Sequence, residues 1–128
     1  MRRRLAGGRV ARLAMLSGDG APRLVPVCFV VERDLIHTAI DGKPKSTRRL
    51  ARLAAIRCDP RVSLLVDEWS EDWSRLWWVR ADGRARVADL DAGVAARLAA
   101  KYGQYRAEPP GGPMIEIAVE RWTGWSAA

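Results

Sequence analysis

The chain has 128 residues, 48% apolar and 29% charged, with a formal net charge of +7 carried mainly by arginine. That length suits one domain over residues 1–128 with one core, and the composition excludes an intrinsically disordered chain. No apolar run reaches the roughly eighteen residues of a membrane span, and Arg9 and Arg12 interrupt the stretch after the basic Arg2, Arg3 and Arg4, so no secretory signal is expected and the protein is placed in the cytoplasm.

The first segment, Met1 to Gly8, reads as a short basic helix end. Val10 to Leu16 carries apolar residues up to Ser17-Gly18-Asp19-Gly20, a strong turn signal. Arg23 to Val31, RLVPVCFVV, is β-branched and apolar and is predicted as a single strand. Pro26 inside it has no N–H to donate, which marks an edge, a bulge or a place where a ligand approaches the backbone. Leu35 to Ile40 is the return strand after a turn at Glu32-Arg33-Asp34, giving a meander of three strands. Ser46 or Thr47 is an N-cap for an amphipathic helix bearing Leu50, Leu53, Ala54 and Ile56, which ends at Asp59-Pro60. Its Arg48, Arg49, Arg52 and Arg57 lie on other faces.

Arg61 to Val66 is the next strand, and a polar loop with Trp69 and Trp73 follows. Leu76 to Ala88 is a long strand-like stretch, in which Asp82-Gly83 is a hairpin turn or Gly83 a bulge in one bent strand. Asp91 to Tyr105 is a second helix aligning Val94, Leu98 and Tyr102. After the PPGGP connector at Pro109 to Pro113, Met114 to Val119 is the last strand. Many strands with helices between them fit an antiparallel barrel with helices outside. The chain contains neither GxGxxG nor GxxxxGK[ST], so the dinucleotide and P-loop readings fail.

Chemistry-bearing residues are few. One histidine, His37, excludes a multi-His metal site within one chain, and Cys28 and Cys58 form no ligand cluster. No side chain stands out as catalytic, and no metal is expected. The most informative stretch is Asp41 to Arg49, DGKPKSTRR. It sets Lys43, Lys45, Ser46 and Thr47 at a helix start, where free N–H groups and a partial positive charge favour phosphate. The second anomaly is six tryptophans. Trp77 and Trp78 are adjacent, so in a strand they face opposite sides.

The phrases PRLVPVCFVV, DGKPKSTRRLARLAAI, DPRVSLLVD, DWSRLWWVRADGRARV and RWTGWS, in that order, resemble the pyridoxamine 5′-phosphate oxidase-like split barrels. The likeness is nearest to their actinobacterial F420-dependent, or deazaflavin-dependent, branch. The resemblance implies a mainly β, α+β fold: a six-stranded antiparallel split barrel with two or more helices outside, as a homodimer, and it implies one bent strand through Leu76 to Ala88 rather than a tight hairpin. It also implies that coenzyme F420, or FMN as the alternative, lies between subunits. The phosphate would be held at Lys43, Lys45, Ser46 and Thr47. The ring would lie along Val25, Pro26, Val27 and Cys28, with Trp77, Trp78 and Arg80 reaching it from the partner. The implied activity is an F420-dependent oxidoreductase acting on a small conjugated molecule. Alternatives are an FMN enzyme of the same fold and a non-catalytic cofactor- or haem-binding module. Nucleic acid and membrane are not expected partners, since the basic residues are dispersed and no nucleic-acid motif occurs.

Overall fold

The computed structural model describes residues 1–40 and 47–128, apart from the side chains of 47–50. The elements run α1 (Arg2–Ala6), β1 (Ala11–Leu16), β2 (Pro22–Val27), β3 (Val30–Glu32), β4 (Leu35–Ala39), α2 (Thr47–Cys58), β5 (Arg61–Glu68), β6 (Trp77–Ala88), α3 (Ala92–Lys101), α4 (Gly103–Ala107) and β7 (Met114–Ser126). A single 3₁₀ turn, Trp73–Arg75, precedes β6. Among the described residues the strands form one antiparallel sheet in the order β2-β1-β5-β6-β7-β4-β3.

That order explains the architecture. The two edge strands, β2 and β3, are successive in the chain and separated only by Cys28 and Phe29. A sheet whose opposite edges are joined by two residues must curl until they meet. The barrel is thus closed by a covalent seam rather than by a continuous ladder. The expected single strand Arg23 to Val31 breaks at this seam, so the sheet has seven strands and not six. The apolar run conceals the break because both halves remain extended and both bury side chains, Val27 and Val30 being each 6% exposed. Pro26 lies on an edge strand, one of its three expected settings.

Period-two patterning selects what faces in. In β1, Ala11, Leu13 and Met15 are buried, while Arg12 is exposed. Leu64, Val66, Val79, Ala81, Ile115 and Ile117 complete the same interior, with Phe29 at the seam and Leu53 and Ile56 from α2. A second, smaller core lies outside the sheet, where Val94, Leu98 and Tyr102 cover Val30, Ala39 and Met114.

The long strand β6 runs unbroken through Gly83 and pairs with β7 along its length. Its register shifts where Asp82 faces Arg121 and Gly83 faces Val119, leaving Glu120 as the extra residue of a bulge on β7. The final strand is longer than expected and reaches Ser126. The expected second helix is divided: α3 ends at Tyr102, whose φ of −120° is extended, and α4 begins at Gly103. The Tyr102 hydroxyl is bound to main chain at Phe29 and Arg9, and this tertiary anchor overrides the helical pattern. No helix of the described residues is long and apolar enough to cross a membrane.

Candidate functional site

Two cavities lie on opposite faces of the β1–β2 ribbon. The first, of about 450 Å³, lies between that ribbon and α2 and is lined by Met15, Ser17, Arg23, Val25, Pro26, Ala51, Arg52 and Ala55. Period-two alternation puts Met15 and Val25 on one face, and the register pairs Val25 with Leu13 of that same face. Helix α2 closes the space because it buries Leu53, Ala55 and Ile56 against the barrel, which turns Ala51 and Arg52 toward the strands. Among the described residues the charged members of this lining are two arginines, with no carboxylate. It therefore offers an apolar wall and positive charge together.

The second cavity, of about 580 Å³, lies on the outer face of β1, β5 and β6. Arg12, Ala14, Leu65, Trp78 and Arg80 are the outward residues of successive strands, brought abreast by the pairs Arg12 with Leu65 and Leu65 with Arg80. Leu24, Trp69 and Trp125 complete its rim and are 67%, 66% and 50% exposed. Trp78 stands directly across from Trp125. Arg80 is held by Asp82 at 3.0 Å, and Asp82 also accepts from the Ser63 hydroxyl at 2.6 Å. Trp77 takes the opposite side of β6, as its spacing predicts, and packs against the core. Its Nε1 donates to Glu68 at 2.9 Å, and the Arg4 guanidinium lies 5.4 Å from its ring centre.

The expected ring-binding residues are thus distributed unevenly. Val25 and Pro26 line the first cavity, but Val27 is buried in the core and Cys28 packs with the second core. Trp78 and Arg80 line the other cavity from the outer face of β6, and Trp77, on the opposite side, touches only its edge. One chain does not bring the two groups together. Lys43, Lys45 and Ser46 lie outside the described residues; Thr47 opens α2, and its side chain also lies outside them. Sequence reasoning missed Arg23 and Arg52 in the first cavity and Arg12, Leu24, Leu65 and Trp125 in the second. Two of these left a signal: Arg52, as an arginine on a helix that follows a phosphate-type loop, and Trp125, as one of the six tryptophans.

One ionisable cluster, on β4, β6 and β7, lines neither cavity. Nε2 of His37, a residue 4% exposed, is 2.9 Å from Glu116, which also accepts from Arg86 at 2.9 Å. These two partners hold the Glu116 carboxyl below its usual range. No group of three or more His, Cys, Asp or Glu among the described residues could hold a metal ion.

A seven-stranded curled antiparallel sheet, closed at a two-residue seam and carrying its helices outside, places this molecule among the split-barrel proteins. The chain belongs to the pyridoxamine 5′-phosphate oxidase family, whose model matches residues 1–126. No curated protein matches it in sequence. Solved structures share the fold at low identity. A conserved hypothetical protein from Mycobacterium tuberculosis aligns with TM-score 0.76 at 19% identity, over 96% of this chain and 80% of that one. An FAD-binding protein from Mesorhizobium loti gives 0.68 at 23%, over 94% and 85%. HutZ, the haem storage protein from Vibrio cholerae, gives 0.71 at 15%, over 94% and 87%.

Proposed function

We propose that this protein is an oxidoreductase that binds a phosphorylated tricyclic redox cofactor between two copies of the chain. The deazaflavin F420 is the first candidate and FMN the alternative; the substrate is a small conjugated organic molecule. The observation that carries this reading is the cavity under α2, where Val25 and Pro26 supply an apolar wall and Arg23 and Arg52 supply positive charge, with no competing carboxylate among the described residues. Such a lining suits a planar ring joined to a phosphate. Lys43, Lys45 and Ser46 immediately precede this helix in sequence, Thr47 is its first residue, and these four are the proposed phosphate residues. When bound, a flavin or deazaflavin supplies the hydride chemistry itself, so the protein need only hold and orient it.

The separation of the two groups of ring residues favours a site shared between copies. Trp78 and Arg80 face outward on a sheet surface rich in exposed aromatic side chains, where a second chain would bring them to its neighbour's cofactor. The FAD-binding relative supports a flavin-type ligand. Haem is the weaker reading despite the likeness to HutZ, because the chain's one histidine is buried and bonded to Glu116. An iron ligand would have to come from another residue type.

Titration with FMN, FAD, F420 and haemin, followed by tryptophan fluorescence, tests this. The expected result is quenching by FMN or F420 that weakens about tenfold in Lys45→Ala, the loss of one charge-assisted hydrogen bond. The melting temperature of the cofactor-free protein should stay unchanged. Binding of haemin alone, or of none of the four, would overturn the proposal.

A further inference from the structure

The seam of the barrel leaves a problem in hydrogen bonding. Phe29 is fully buried and lies outside the ladders of β2 and β3, so its N–H and C=O have no strand partner. Buried main-chain groups left unpaired are costly. Here two consecutive side chains at the end of α3 satisfy both. The Phe29 N–H donates to the Tyr102 hydroxyl at 3.1 Å. The Phe29 carbonyl accepts from Lys101 Nζ at 2.9 Å and lies 3.2 Å from the Tyr102 hydroxyl. That hydroxyl, with one proton to give, also lies 3.1 Å from the Arg9 carbonyl. Lys101 Nζ donates to the Ala6 carbonyl at 3.1 Å and sits 3.8 Å from the centre of the Phe29 ring.

We propose that Lys101 and Tyr102 are positioning residues that clamp the barrel seam and thereby set the end of β2, whose Val25 and Pro26 form the wall against which the cofactor ring lies. The inference rests on the cofactor reading above for its second half; the clamp itself does not. The geometry is specific to this role. The clamp grips the residue next to Cys28, and β2 is an edge strand with a ladder on one side only. Its C-terminal end is therefore held by β1 and by this clamp. Arg9 adds to the assembly, bonding the Lys101 carbonyl at 2.8 Å while its guanidinium lies 4.9 Å from the Tyr102 ring centre.

The test uses Lys101→Met, which keeps the apolar stem, and Tyr102→Phe, which keeps the ring and removes only the hydroxyl. Hydrogen exchange near neutral pH is followed in the cofactor-free protein. FMN affinity and the visible circular dichroism of FMN at saturation are then measured. The expected result is Phe29 amide exchange faster by about tenfold or more in both variants, with the β5 and β6 amides unchanged. FMN should bind about tenfold more weakly and show an altered dichroism band when saturated, a change in ring setting that general loss of stability would not produce. Unchanged Phe29 exchange, or equal acceleration across β5 and β6, would overturn the clamp. Faster Phe29 exchange with unaltered FMN affinity and dichroism would overturn its role toward the ring. If wild type binds no FMN but the exchange result holds, the cofactor half of the inference falls and the clamp stands.

Discussion

At the residue scale, the molecule's polar interior is concentrated in a few groups whose titration should be visible. Burial, reinforced by the nearby Arg9 charge, pulls the Lys101 ammonium down to about 8 from its ordinary 10.5, and Cys28 opposes this only weakly. The folded chain therefore releases a proton that the unfolded chain still holds between those values. Stability should rise as pH climbs through that window. Urea midpoints measured across it should increase for wild type and stay flat for Lys101→Met; parallel curves would refute the assignment. Glu116 behaves in the opposite sense. Its hydrogen bonds from His37 and Arg86 hold its folded pKa below the usual 4.5, so it stabilises the protein above that value and the contribution disappears as pH falls through the lowered one. Glu116→Gln should lose about 1–3 kcal/mol at neutral pH and show a shallower acid-unfolding slope than wild type.

At the scale of elements, most of the strands were legible because period-two alternation and turn chemistry agree. The turn at residues 17–21 closes as its Gly and Asp foretell: Gly20 takes a φ of +80° and Asp19 accepts from the Ala21 amide. The unbroken β6 was legible only through the family resemblance, since the residues alone left a hairpin at Asp82-Gly83 open. A β-carbon at Gly83 would lie 2.2 Å from the Ala118 carbonyl oxygen, so the glycine marks close main-chain contact with β7. Gly83→Ala should therefore cost about 1–3 kcal/mol of overpacking, seen as a lower urea midpoint; a midpoint equal to wild type would refute the contact. Two breaks were not legible, at Phe29 and at Tyr102, and they have one cause. Each looks locally regular, and each is displaced by a contact with the other, 73 residues away in the chain. No local pattern carries such information. The same limit hid half of the candidate site. Arg12, Leu65 and Trp125 come from three different strands and become neighbours only through register.

For the whole molecule, the decisive surface is the outer sheet face around Trp78. Leu24, Trp69, Trp73 and Trp125 are each at least half exposed there or on the adjoining loop, an arrangement that suits association with another chain. The proposed homodimer should sediment at twice the 14.2 kDa of one chain. Leu24→Asp, on a side chain 67% exposed, should shift the protein toward monomer while leaving its fold intact, with loss of cofactor affinity. A monomeric wild type that still binds cofactor would contradict the shared site. The charge of +7 was the least informative whole-chain feature, since the arginines are spread over both cavities, the strand exteriors and α1.

The covalent seam also has a consequence in time. The β1–β2 and β3–β4 hairpins are local and can form early, joined by Cys28 and Phe29. Yet β4 finds its other neighbour only in β7, where His37 meets Glu116 across 79 residues. Such distant pairing makes folding slow, because the chain entropy of closing the loop is lost before the contacts repay it. Pairing of β4 with β7 is therefore expected to come late in folding, with the chain most exposed to misassembly just before it.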